Sequence, residues 1–191
     1  MNIKKTYVVI LLTGIFLPAL AMSDNEKEDL DRFYAKLDLG SSTFSGYSEA
    51  GTTVLSESKV GDLFALSVGL ELGPLLSFEL SHAQFGKTEG KLGAPVNGSF
   101  ENKVSSNALS VIPSIPLGDK TSFFIELGEH VWEVDSKVGA TSATVDGSDF
   151  FYGFGFNYDV REQIRTGFEF SKYNLDSDDF RTMTVSVAYL F

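Results

Sequence analysis

Apolar and polar residues alternate along most of this chain from Phe33 to its end, in segments separated by stretches rich in Gly, Ser, Asn and Asp. Such period-two runs read as strands with one oily face. Eight are visible. The first covers about Phe33–Ser41, with Phe33, Ala35, Leu37 and Leu39 opposed to Tyr34, Lys36 and Asp38. The second and third, about Asp62–Leu72 and Leu75–Phe85, set Phe64, Leu66, Val68, Leu76, Phe78 and Leu80 against Ser67, Gly69, Glu71, Ser77, Glu79 and Ser81. The fourth, about Asn102–Pro113, alternates poorly, and Leu109 and Val111 are its expected outer residues. The fifth to seventh, about Thr121–Val134, Asp149–Asp159 and Gln163–Tyr173, oppose Phe123, Ile125, Leu127, Phe154, Phe156, Phe168 and Phe170 to Glu126, Gly128, Gly153, Gly155, Arg165 and Glu169. The eighth closes the chain, with Met183, Val185, Val187, Tyr189 and Phe191 on one face and Thr182, Thr184, Ser186 and Ala188 on the other.

These segments approach the roughly 9–11 residues of a tilted membrane-crossing strand and exceed the ~5–6 residues of an ordinary globular one. Their connections alternate in length. Gly73-Pro74, Pro116–Lys120 and Asp159–Glu162 are tight, whereas Ser42–Gly61, Gly86–Glu101, Asp135–Ser148 and Asn174–Asp179 are long and polar. Short turns at one end and long loops at the other describe an outer-membrane barrel. The expected fold is therefore all-β, an eight-stranded antiparallel up-and-down transmembrane β-barrel.

Alternation alone does not say which face is outside, but the chemistry of the faces does. The polar faces carry small residues such as Gly69, Gly128, Gly153, Gly155, Gly167, Ser67 and Ser171, which fit the crowded interior of an eight-stranded barrel. Among them stand single charges: Lys36, Asp38, Glu71, Glu79, Glu126, Arg165 and Glu169. An interior ion network is expected, drawn chiefly from Lys36, Glu79, Glu126, Arg165 and Glu169, with Lys36 and Arg165 bridging carboxylates. Two bases against five acids leave an excess for water, a cation or protons to offset. The reverse facing would set Arg165 in lipid, at about 2–4 kcal/mol near the midplane. Aromatic residues fall at both ends of the strands, Phe33, Tyr158, Tyr189 and Phe191 at one and Phe150 and Tyr152 at the other, as interfacial girdles would.

The amino terminus reads as a secretory signal. Lys4 and Lys5 precede the apolar run Tyr7–Leu17, and Ala19-Leu20-Ala21 has the small-x-small form of a cleavage site. The expected organisation is a signal over 1–21, with Ala19 and Ala21 marking cleavage, a charged periplasmic leader over 22–32, and a barrel over 33–191. The chain has no cysteine, which excludes disulfides and thiolate chemistry, and its net charge of −11 argues against nucleic acid as a partner.

The stretches FYAKLDLGSSTFSG at Phe33–Gly46, FALSVGLELGPLLSFELSHAQFG at Phe64–Gly86, ALSVIPSIPLGDKTSFFIELG at Ala108–Gly128 and FYGFGFNYDVREQIRTGFEFSKYNLD at Phe151–Asp176, followed by the last strand, resemble the OmpA-like outer-membrane β-barrels. The resemblance implies an eight-stranded barrel with a packed, charged interior, in which Glu79, Glu126, Arg165 and Glu169 match the kind of interior charge the family uses. It also implies the barrel-only type, without the periplasmic peptidoglycan-binding domain of the large members.

Enzymatic chemistry has little to stand on. His82 is adjacent to Ser81, so the two side chains leave a regular strand on opposite faces and do not pair. His130 is expected inside, beside Trp132. The acids Asp176, Asp178 and Asp179 lack the glycine and distal Glu of a calcium loop, and no pattern asks for a cofactor or a metal. The expected protein is not an enzyme. It is an integral barrel that displays loops for envelope integrity or adhesion, with the long Thr43–Asp62 segment as the main contact surface. The alternatives are a narrow ion or small-solute channel, with Tyr34, Phe124, Trp132 and Tyr173 filling the lumen, and a rim enzyme acting on lipid A. Expected partners are outer-membrane lipid, the assembly machinery that reads Tyr189 and Phe191 in the last strand, and an extracellular ligand or host surface.

Overall fold

The computed structural model describes residues 31–45, 54–57, 60–92, 98–175 and 178–191. Among them are nine strands: β1 (Arg32–Ser45), β2 (Val54–Glu57), β3 (Val60–Glu71), β4 (Leu76–Leu92), β5 (Gly98–Pro116), β6 (Thr121–Val138), β7 (Thr141–Arg161), β8 (Ile164–Leu175) and β9 (Asp178–Leu190). Eight of these form a closed antiparallel barrel. Each pairs with its sequence neighbours, β4 with both β3 and β5, and β1 joins β9 to shut the ring. The four-residue β2 stands outside the ring and pairs with the far end of β4. The expected signal segment, with Ala19 and Ala21, and the leader up to Leu30 lie outside the described residues.

The registers fix the shape. A row of partners leaving β1 at Phe33 passes Leu70, Phe78, Val111, Leu127, Tyr152, Lys172 and Arg181 and returns to β1 at Thr43, ten residues further along. That stagger over eight strands tilts them by roughly 40°. Each residue then rises about 2.5 Å along the barrel axis, so nine or ten residues cross a hydrocarbon band of about 25 Å.

The oily faces point outward. Leu66, Val68, Val185 and Val187 are each more than half exposed, whereas Glu79 and Glu126 opposite retain 3% of their surface. Only lipid makes that arrangement favourable, since in water it would bare the whole apolar band. A Trp placed at Phe168 in a Trp132→Phe background should be quenched by brominated phospholipid, and the native Trp132, 6% exposed inside the ring, should not. Equal quenching of the two would contradict this facing.

Beyond the band, β4 to β7 keep going. The long polar segments Gly86–Glu101 and Asp135–Ser148 read as loops, but the structure builds most of them into strand. β6 and β7 remain paired to Val138 and Thr141, around a tip where Gly139 takes φ +59°. β5 pairs with β6 from Phe100 and with β4 from Gly98. The reason is local. Thr141, Thr144 and Val145 are β-branched, and exposure of both faces removes the apolar alternation that betrays a half-buried strand. In β4 the register slips between Gln84 and Lys87, where Gly86 takes φ +76°. That bulge interrupts the period-two signal.

Candidate functional site

The inner face of β1 alternates Tyr34, Lys36 and Asp38, and the ring brings Glu79 of β4, Glu126 of β6 and Glu169 of β8 to the same interior layer. Lys36 Nζ lies 2.9 Å from Glu79 Oε1 and 3.7 Å from Asp38 Oδ2. The Tyr34 hydroxyl donates to the other Glu79 oxygen at 2.7 Å. Gly69, paired with Glu79 across β3 and β4, lets the Tyr34 ring lie flat on the wall, because a Cβ at Gly69 would enter the ring. Glu169 accepts from the Ser171 hydroxyl. The layer therefore holds four carboxyl groups around one ammonium group. Ser67 Oγ, in the same cavity, is the one buried side-chain polar atom among the described residues without a hydrogen-bond partner.

Arg165 lies nearer the short turns. It binds Glu71 and Asp159, the latter through Nε at 2.6 Å, and Arg32 reaches the second Glu71 oxygen at 2.9 Å. The sequence suggested a network in which Lys36 and Arg165 bridge carboxylates. Each spans two acids, Lys36 reaching Asp38 and Glu79 and Arg165 reaching Glu71 and Asp159, and both bases line one chamber with Glu79 and Glu169. Lys36 and Arg165 both pair with Ala188, from opposite sides of β9, and the strand tilt sets Arg165 roughly 6 Å nearer the short turns, beside its partner Asp159.

Two small chambers flank the Lys36–Glu79 pair, and Lys36, Glu79 and Glu169 line both. They measure about 20 Å³ and 40 Å³ as space for a water centre, room for a few water molecules at most. Toward the long hairpins the lumen is shut by packed rings. Phe151 stacks on Tyr173 at 4.6 Å, Phe85 meets Tyr173 edge-on at 4.9 Å and Phe180 at 5.2 Å, and Leu63, Val104, Trp132 and Leu175 complete the cluster. The Trp132 indole donates to Asp149 at 2.8 Å. Gly128 and Gly147 make room for this cork, since a Cβ at either would strike the Phe151 ring or the Trp132 indole.

Tyr34, Phe124, Trp132 and Tyr173, the expected lumen fillers, do line the interior. Phe85, Phe151 and Phe180 are their partners that sequence reasoning missed. Phe151 follows the outward Phe150 and precedes the inward Gly153 by two, so strand parity could have found it.

His130 is 1% exposed and holds Ser106 Oγ at Nδ1 (3.0 Å) and the Asn174 carbonyl at Nε2 (2.8 Å). A hydroxyl on an imidazole is the start of a nucleophile and base pair, but Ser106 is 2% exposed and His130 is packed into the cork, edge-on to Phe151 and Tyr173. What the contact achieves is to pin the end of β8 to β6. On the outer wall, His82 Nδ1 meets Asn107 Oδ1 at 3.0 Å. Asp176 lies outside the described residues, and the Asp179 carboxylate lies 2.8 Å from Lys172. In the last strand Tyr189 and Phe191 meet edge-on at 5.0 Å on the lipid side, and the Phe191 amide donates to the Phe33 carbonyl.

The chain matches the family described as the outer membrane protein beta-barrel domain over residues 8–191. No curated protein sequence matches it. Its fold is similar to that of Ail, the attachment invasion locus protein of Yersinia pestis, solved in complex with the heparin analogue sucrose octasulfate (15% identity, 84% of this chain and 97% of that one, TM-score 0.56). It is also similar to the outer membrane protein OprG from Pseudomonas aeruginosa (13%, 88% and 99%, TM-score 0.64) and to Neisserial surface protein A (14%, 83% and 97%, TM-score 0.57). At these identities the likeness is one of fold.

Proposed function

This chain belongs to the outer membrane protein β-barrel family, and on that footing we propose that it is a non-enzymatic barrel of the bacterial outer membrane that presents a rigid extracellular sheet for envelope-structural or adhesive contacts. The observation that carries the reading is the continuation of β4–β7 beyond the lipid band. Spanning needs only nine or ten residues per strand, yet β5 has 19, β6 has 18 and β7 has 21. The surplus lifts a paired sheet above the lipid, with Val145 56% exposed at its edge. Its charges are mixed, with Glu101, Glu133 and Asp135 beside Lys87, Lys103 and Lys137, so an extended polyanion such as the Ail ligand, which needs more cations than the single Lys87–Lys103 pair, is not the partner this surface favours. A protein or mixed polar surface of a host or neighbouring cell fits better. The Thr43–Asp62 segment contributes through β2, which docks on β4, while residues 46–53 and 58–59 lie outside the described residues.

Replacing Asp135–Ser148 by a two-residue turn should leave the barrel heat-modifiable on gels while abolishing attachment of expressing cells to a host-cell layer, or raising their detergent sensitivity. Full retention of both would sink the reading. Tyr189 and Phe191, at the end of the closing strand, are where the assembly machinery would engage the chain, and Phe191→Ser should slow insertion in cells.

A conducting lumen is the second reading, favoured by the two polar chambers. The cork and the Lys36–Glu79 pair oppose it in series. Bilayer recordings that stay silent for the intact protein and for Glu126→Gln would exclude it.

A further inference from the structure

The outer wall is not uniformly convex. One row of hydrogen-bonded partners runs Val187, Leu37, Leu66, His82, Asn107 across β9, β1, β3, β4 and β5. Below it Ala35 stands where its neighbours carry large side chains, and a groove of about 660 Å³ opens, with walls almost wholly apolar. The row crosses four strand spacings of ~4.8 Å, roughly 19 Å, of which the strand tilt puts about 12 Å along the membrane normal. An acyl chain in one leaflet spans about half of the ~30 Å hydrocarbon core, so the groove has the reach of one chain.

Its upper end is polar. With Asn107 Oδ1 accepting, His82 Nδ1 carries the proton. That leaves an acceptor at Nε2 and the Asn107 amide donors without a side-chain partner among the described residues. At the edge of hydrocarbon such groups need a polar partner. Further up the same face, Lys87 and Lys103 are cross-strand partners, each about half exposed and each within 4 Å of Glu101. They lie four residues above Asn107, roughly 13 Å along the strand. Apolar groove, hydrogen-bonding shelf and cationic pair follow one another in the order of an amphiphile's tail, linkage and anionic head.

We propose that this groove holds one acyl chain of an anionic, phosphate-bearing lipid of the outer leaflet, its carbonyl or hydroxyl linkage at His82 and Asn107 and its phosphate at Lys87 and Lys103. The polar end faces the extracellular side, which selects the outer leaflet. The inference rests on the outward facing of the apolar side chains and not on the adhesive reading, so either can fail without the other.

The test uses the full chain in phosphatidylcholine vesicles doped with hexa-acylated lipid A, followed by detergent extraction and native mass spectrometry. The wild type should carry one lipid A. Ala35→Leu, which fills the groove from the lipid side, should reduce that species about tenfold, as should the Lys87→Gln/Lys103→Gln pair, a change of ~1.4 kcal/mol. Phe154→Leu, on the opposite wall, should not, and heat-modifiable migration certifies that each variant is folded. Retention at the wild-type level in folded Ala35→Leu, or equal retention in the double lysine variant, would overturn the proposal. So would a two-copy species that Ala35→Leu abolishes, which would assign the groove to a second barrel.

Discussion

Lys36→Met is expected to lower the stability of the folded barrel by about 3–5 kcal/mol, the usual consequence of removing one member of a buried ion pair. Lys36 is the cation that Asp38 and Glu79 contact, and Glu126 and Glu169 open onto the same cavity. Once it is gone, the four acids keep only Arg165 in the adjoining chamber, and that guanidinium is already bound to Glu71 and Asp159. The measurement is urea unfolding in lipid vesicles, followed by Trp132 fluorescence. The companion Lys36→Met/Glu79→Gln should recover part of the loss, because the carboxylate left behind causes most of it. A midpoint unmoved in Lys36→Met would mean that this layer is hydrated well enough to behave as surface.

The second large effect is at the cork. Phe151→Ala removes the ring that stacks on Tyr173 and lies over Gly128. A Phe-to-Ala deletion in a packed core costs about 3–5 kcal/mol, and this core has Gly128 on one side, which has no side chain with which to close the gap. We expect that loss in the same unfolding assay, with bilayer conductance still silent because the Lys36–Glu79 pair lies further down the lumen. Conductance in Phe151→Ala alone would mean that the aromatic cluster is the only seal. A shift below about 1 kcal/mol would mean that the cluster fills space without holding the strands together.

What the sequence made legible follows from which constraint was strong. Inside the lipid band each strand must be oily on one face and small or ionic on the other, so Leu66 against Ser67 or Phe168 against Glu169 declared both the strand and its facing. Outside the band that constraint ends. Thr141–Ser148 has both faces in water, and its pairing with β6 left no alternation to read. The bulge at Gly86 hid the upper half of β4 in the same way. For the lumen, parity gave the residues that look inward but not their heights. Arg165 and Lys36 share the partner Ala188 and one chamber, yet the ten-residue stagger offsets them in height, so that Lys36 meets Asp38 and Glu79 while Arg165 meets Glu71 and Asp159, and stagger is a property of all eight pairings together. Phe85, Phe151 and Phe180 belong to strand regions near the rim, where an aromatic residue is as easily read as girdle as lumen.

Closure through β1 and β9 makes this an all-or-nothing object. Until the final dozen residues dock beside the first, the sheet has two raw margins, and neither the cork nor the buried ions have a fourth wall. A nascent chain waiting for its last segment would therefore be sticky and easily cut, open to any chaperone or protease it meets. Cellular abundance should then depend more on the promptness of that final docking than on the stability of the finished cylinder.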